Sequence, residues 1–251
     1  VRAYGIATAV LAVLLLVTAP WLVVWALPFA PLVALTAGAS WNRADRSMLN
    51  DTVTVGAAGL MTAVAYDAGT GGAGGLWGTG RLAGTGFLGA PGHPAAPGPT
   101  PDAPGTVVDA AADPAAILAA LPGSSFDGSL TGWGWAWLVT LIVFAYFLGT
   151  VFYVKTNIRE RESRGWLVAS IAYHAVLTVF VAVLVAFGLL HWSHLLVWLA
   201  LTARAAAVPM VRAREGTWLN GLPAKRLAMV IGLGEVFFSI VVPVTLLLSA
   251  G

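Results

Sequence analysis

Runs of roughly 20 apolar residues recur along this chain, and that recurrence constrains its fold more than any other feature. A helix needs about 20 mostly apolar residues, with a range of ~17–25, to cross a bilayer. Seven stretches meet or approach that length: 3–19, 21–39, 48–66, 133–154, 166–190, 194–210 and 227–249. In lipid each segment must satisfy its own backbone N–H and C=O groups, so such runs fold as helices. The expected class is all-α, a polytopic transmembrane helical bundle with seven helices visible. The charge count excludes a soluble domain. Only 10% of the 251 residues are charged, where a soluble surface takes about 25%.

The excess of 13 Lys+Arg over 11 Asp+Glu is small. No basic stripe interleaved with aromatics appears, so no nucleic-acid partner is expected. The chain has no cysteine, which excludes disulfides, thiolate catalysis and Cys-ligated centres. Apolar sequence begins almost at Val1, with no basic n-region or cleavage site before it, so helix one is not read as a removable signal peptide. The expectation is an unusual start or a missing front.

Composition divides the chain into three parts. Residues 1–66 carry helices one to three, and 132–251 carry helices four to seven. Residues 67–131 hold 15 of the 29 glycines and 8 of the 14 prolines. Such a stretch cannot bury enough apolar surface to offset its ordering entropy, so a long, largely irregular external loop is expected. Asp113 and Pro114 suit the cap and first position of one short helix reaching Leu121. Otherwise the loop reads as an insertion without chemistry. Pro28 and Pro31 inside helix two predict a kink.

Charge sets the orientation. With alternating helices, eleven of the thirteen basic residues fall on one set of ends: Arg2, Arg43, Arg46, Lys155, Arg159, Arg161, Arg164, Arg212, Arg214, Lys225 and Arg226. The positive-inside rule then puts this chain's N-terminus inside and its C-terminus outside, in a bacterial cytoplasmic (inner) membrane. Trp133, Trp135, Trp137 and Trp192 are expected at the outer interface, with Trp41, Trp166 and Trp218 at the inner one.

Ionisable groups within a span are costly and mark function by default. Asp51 lies one turn into helix three, His174 about two turns into helix five, Arg204 about two turns from the inner end of helix six, and Glu235 about two turns into helix seven. At 1.5 Å per residue the last three fall ~10–12 Å from the inner boundary. Four-residue spacing places Ser170, His174 and Thr178 on one face, and Tyr146, Thr150 and Tyr153 on another. Arg204 and Glu235 read either as a structural ion pair or as parts of a cytoplasm-facing polar pocket. In the second reading Arg204 holds an anion, Lys225 and Arg226 stand at the rim, and His174, alone or with Glu235, manages protons. Asn50, Asp51, Tyr146 and Tyr173 complete the candidate ligand-binding set. His191 and His194 are three apart, but only His93 offers a distant third ligand, so neither a metal nor a cofactor is expected. The charged turn 155–164 reads as a solvated loop or an anionic-lipid contact.

Short patterns in order give the chain a resemblance. They are Arg46-Ser47-Met48-Leu49-Asn50-Asp51, Tyr153-Val154-Lys155 through Ile158-Arg159-Glu160-Arg161, Tyr173-His174-Ala175, Ala203-Arg204-Ala205 with Pro209, and Lys225-Arg226 with Ile231-Gly232 and Glu235. In that order the chain resembles the YwiC-like family of bacterial membrane proteins. The resemblance implies about nine helices in a full-length member, beginning with a Pro-x-x-His-Gly-x-Trp segment that is missing here. It implies no settled activity, but it does place the intramembrane residues within the family pattern. Three functions compete. The first is binding or transport of a small anionic or polar solute, without chemistry. The second is a UbiA-like intramembrane prenyltransferase, against which Asn50-Asp51 lacks the second aspartate that holds Mg²⁺ on a diphosphate. The third is an accessory protein of a quinone-linked or respiratory complex, with a lipid or quinone head group against Tyr173, His174 and Glu235.

Overall fold

The computed structural model describes residues 2–44, 46–72, 77, 123–213 and 221–250. Among these residues every extended element is helical. The α-helices are α1 (Arg2–Thr18), α2 (Ala26–Trp41), α3 (Met48–Gly69), α4 (Gly132–Val154), α5 (Arg164–Ala186), α6 (Trp192–Ala213) and α7 (Ala224–Leu247). A 3-10 segment, Pro20–Trp25, leads into α2, and α4 runs on into a π turn, Lys155–Arg159. The short helix expected after Asp113, and His93, lie outside the described residues.

Local chemistry explains the helix starts. Ser47 accepts from the Asn50 backbone N–H at 3.2 Å and caps α3. Ser163 does the same for Trp166 at the start of α5. Each satisfies one of the four donors left open at a helix N-terminus. Pro20 opens the 3-10 segment, and Pro28 falls in the first turn of α2, which follows that segment without a break. That leaves only Pro31 inside α2.

Five helices are long and apolar enough to cross a membrane: Pro20–Trp41, Gly132–Arg159, Arg164–Ala186, Trp192–Ala213 and Lys225–Leu247. At 17 residues α1 is shorter. The 22 residues of α3 are long enough but carry Asn50, Asp51, Thr52, Thr54, Thr62 and Asp67. Large apolar side chains cover the outside of the bundle, with Val176 67% and Leu247 73% exposed. So much contiguous apolar surface is what lipid covers and water does not.

The middle of the bundle is α4. It packs closely against α3 on one side and meets α5 and α7 on the other, while α5 packs along α6. Glycine sets the α3–α4 separation. A Cβ on Gly59 would lie 3.0 Å from the Cβ of Phe144.

At the opposite end from the π turn, Trp21, Trp25 and Trp133 pack with Ala63, Val64 and Ala136. Trp25 stacks on Trp133 at 6.5 Å, and Tyr66 meets Trp133 edge-on at 5.1 Å. This corrects the sequence expectation for two tryptophans, Trp133 and Trp135, which are turned to protein and not to lipid. Trp133 packs on Tyr66 of α3 and Trp25 of the 3-10 segment, whereas Trp135 packs in the core with Leu184, Leu190 and Val197. Asp67 is a second correction. It belongs to α3, which runs three residues beyond the expected end. Its Oδ2 accepts from the Trp25 indole N–H at 2.8 Å.

Residues 123–131 form a tight turn docked on the α5–α6 connection. Ser125 donates its backbone N–H to Leu130 O at 2.7 Å, and Phe126 and Asp127 donate to Leu189 O and Gly188 O. Gly188 has φ +79°, and a Cβ there would meet the Cβ of Asp127 at 3.1 Å, so both the conformation and the space call for glycine. The Asp127 carboxylate accepts from the Ser125 hydroxyl at 2.6 Å and from the Ser129 hydroxyl and backbone.

Two predictions follow from this packing. Gly59→Val should push α3 from α4 and lower stability by about 1–3 kcal/mol, the usual cost of overpacking. Gly232→Ala, with open space around its Cβ, should leave the Tm unchanged. Equal Tm losses in the two variants would refute the close-approach account. The second concerns pH. Hydrogen bonds, that of Ser125 first and then those of Ser129, hold the Asp127 carboxyl below its ordinary range. The contribution is therefore fully present above about pH 4 and is lost as pH falls through the lowered value. The protection of amides 126–130 against hydrogen exchange, relative to an unstructured chain at the same pH, should fall on that acid side in the wild type. In Asp127→Asn this protection should be low throughout and unchanged with pH.

Candidate functional site

Two ionic clusters sit on α4, about one turn apart along it. The first is built on Glu235. The Nη2 of Arg204, from α6, donates to Glu235 Oε1 at 2.7 Å. From α4, the Thr150 hydroxyl donates to Glu235 Oε2 at 2.8 Å. Both side chains of the ion pair are 13% accessible. Tyr146, one turn earlier on α4, donates to the Glu235 backbone carbonyl at 3.2 Å and pairs with the Ser239 hydroxyl at 3.1 Å. Three helices therefore converge on one carboxylate.

The guanidinium of Arg204 also lies over two rings, Tyr153 at 4.0 Å and Phe238 at 4.6 Å. Aromatic faces attract the cation and leave its N–H edges for hydrogen bonding. Close approach again depends on glycine, since a Cβ on Gly234 would stand 3.4 Å from Nη1 of Arg204. Both Nε and Nη1 are buried without a hydrogen-bond partner.

The second cluster joins α3 to the π turn. Lys155 Nζ lies 2.6 Å from Asp51 Oδ2, donates to the Arg46 carbonyl at 3.1 Å and stands 5.5 Å from the Trp166 ring. Lys155 is buried. Lys155 continues α4 with ordinary helical angles, φ −59° and ψ −49°, so the rotation of α4 itself carries its side chain toward α3 and Asp51. Asp51, Thr150, Val151, Val154, Lys155 and Arg159 line a cleft of about 220 Å³. Thr150 is thus common to both clusters. It walls the cleft and bonds Glu235.

His174 stands on the other flank of α4. Its Nδ1 lies 2.7 Å from the Ser170 carbonyl, so this nitrogen donates. Its Nε2 would be 3.1 Å from a Cβ on Gly149. Gly149 immediately precedes Thr150, so His174 and Glu235 meet adjacent residues of one helix without touching. Tyr173 donates to the Ala145 carbonyl at 2.9 Å and stacks on Phe152 at 4.9 Å.

Of the sequence-derived candidates, the structure brings Arg204, Glu235 and Tyr146 together, with His174 beside them. Asp51 forms its own pair with Lys155 one turn away. Asn50 contributes its backbone N–H to the Ser47 cap. Lys225 and Arg226 are exposed at the start of α7, about 14 Å of helix from Glu235 by the rise per residue. Lys155 is the residue that sequence reasoning misses. It directly follows an apolar span, where a lysine ordinarily turns to water. His194 shows the reverse. Its Nδ1 pairs with the Thr245 hydroxyl at 2.7 Å and its Nε2 accepts from Trp198 at 3.1 Å, so both ring nitrogens are engaged within the core. Among the described residues no group of three His, Cys, Asp or Glu side chains stands close enough to hold a metal ion.

The ion pair can be tested apart from any ligand. Removing one partner of a buried pair leaves an uncompensated charge and costs about 3–5 kcal/mol, whereas replacing both by apolar residues is often neutral. Arg204→Met alone should lower the Tm sharply, and Arg204→Met with Glu235→Leu should restore most of it. Additive losses in the double variant would show that the two charges are not coupled.

Comparison with known proteins bears out the resemblance over the first three helices. Residues 1–66 match the family model described as YwiC-like protein. The uncharacterized protein YwiC of Bacillus subtilis is 46% identical over 44 residues, which cover 18% of this chain and 18% of that protein. The patterns quoted from α4 to α7 lie beyond the matched residues. No solved structure matches.

Proposed function

We propose that this chain, YwiC-like over its first 66 residues, is an integral membrane protein that binds or transports a small anionic solute at Arg204. One observation carries the reading. Arg204 keeps Nε and Nη1 buried and unpartnered while Nη2 holds Glu235. An unsatisfied buried donor costs about 1–3 kcal/mol, and more when charged. Native interiors leave few such groups without a reason. A carboxylate or other oxyanion supplies the missing acceptors, and a guanidinium suits that geometry better than an ammonium. The ring contacts of Tyr153 and Phe238 favour binding along the edge of the guanidinium. The exposed Lys225 and Arg226 raise the local anion concentration at the start of α7, about three turns from Glu235.

The clustering of basic residues at one set of helix ends supports a cytoplasmic approach to this site from a bacterial inner membrane. Neither prenyl transfer nor quinone chemistry has a comparable observation behind it. Asp51 is committed to Lys155, and Tyr173 donates to the backbone.

The experiment is thermal unfolding in lipid nanodiscs with formate, nitrate or inorganic phosphate. A ligand at a hundred times its Kd adds about 2.7 kcal/mol to the folded state. At least one of these anions should raise the wild-type Tm and leave Arg204→Gln/Glu235→Gln unmoved. An equal rise in the double variant would place anion binding elsewhere and remove the proposal.

A further inference from the structure

We infer that anion binding at Arg204 is coupled to uptake of one proton by Glu235, drawn from the Asp51-lined cleft past Thr150. The inference rests on the anion-site reading and adds its driving logic. At rest the site holds one positive and one negative charge at 2.7 Å, net zero. Bringing in a second anion with Glu235 ionised would leave a net negative charge on apolar helices, which is strongly unfavourable. Protonating Glu235 restores neutrality. The balance is simple: an anion and a proton enter, the Arg204–Glu235 ion pair opens, and an Arg204–anion pair and a neutral carboxylic acid replace it. No bond other than O–H is made.

The geometry offers the proton a way in. The Oε2 atom of Glu235 faces Thr150, and Thr150 also walls the cleft that holds Asp51, Lys155 and Arg159. A hydroxyl both accepts and donates, so Thr150 can serve either protonation state of Glu235. The acid formed keeps a partner, because its O–H can turn to the Thr150 oxygen. The other groups around Glu235 are accounted for. From α6 it meets Arg204, and from α4 Thr150 together with Tyr146, which binds its backbone carbonyl. Ser239 on α7 is held by Tyr146. Tyr153 is turned to the Arg204 face. His174 on α5 packs on Gly149, donates Nδ1–H to the Ser170 carbonyl and lies near enough to Arg204 to feel its charge. Asp51 is the other carboxylate on the path, and it pairs with Lys155 at the cleft wall. Glu235 is thus the carboxylate whose proton and whose arginine are shared by one event.

The test uses the whole protein in nanodiscs, with formate and nitrate as probes, since both stay ionised between about pH 5.5 and 8.5. A pH-indicator dye in weak buffer should report one proton taken up per anion bound. The affinity should weaken about tenfold per pH unit, the slope for one linked proton. Glu235→Gln keeps the shape and mimics the neutral acid. It should bind the probe without proton uptake and with no pH slope. Two results overturn the inference: binding by the wild type with no proton taken up, or a slope preserved in Glu235→Gln. Failure of both probes and of phosphate to bind either protein at any pH would overturn the anion-site reading beneath it.

Discussion

Charge is expensive inside an apolar bundle, and the carboxylates described within the helices are each partnered. Glu235 meets Arg204 and Thr150. Asp51 meets Lys155. Asp67 meets the Trp25 indole. Each partnership crosses between elements far apart in sequence, so each also fixes a packing relation. The first ties α7 to α6 and α4, the second ties α3 to the π turn, and the third ties α3 to the 3-10 segment. Helix packing in lipid lacks the hydrophobic drive that assembles a soluble core. Polar contacts of this kind, with close van der Waals fit, then carry much of the specificity.

Close fit depends on small residues facing large ones, and α4 shows both sides of the relation. Toward α3 it presents Phe144 to Gly59. Toward α5 it presents its own Gly149 to Tyr173 and His174. On one helix, successive stretches act as knob and then as hole. The consequence reaches the ion pair. Thr150 follows Gly149, so the approach of α5 to α4 on one flank sets where the Thr150 hydroxyl stands on the other. The Arg204 site is therefore supported by α5 even though α5 gives Glu235 no hydrogen bond.

The seven helices are legible in the sequence because apolar length and caps are local properties. The expected start of helix three matches α3 at Met48, and that of helix five falls two residues past the start of α5 at Arg164. Depth is legible too, since rise per residue converts position into height, and Arg204 with Glu235 come out at one level. Neighbours are harder. Position along a span does not say which faces meet, so Asp51 reads as a member of the same group when Lys155 holds it a turn away. Lys155 itself reads as a loop residue because nothing local announces the π turn. The tryptophans mislead for a related reason. An indole near a span end suits an interface, but Trp133 also has a large apolar face, and Tyr66 and Trp25 are there to cover it. Tertiary contact decides between the two, and contact is not in the pattern.

One feature of Arg204 separates a structural tie from a binding group. A tie is complete when both partners are satisfied, as His194 is between Thr245 and Trp198. Glu235 meets that standard, with both oxygens engaged. Arg204 does not, although it is the richer hydrogen-bonder of the pair, with five N–H donors. The surplus donors make sense when a second acceptor visits. Under the proposed anion-site reading, the pairing of a fully satisfied acid with an under-satisfied base makes a site that is closed with respect to protons and open with respect to anions, until the acid gives up its charge.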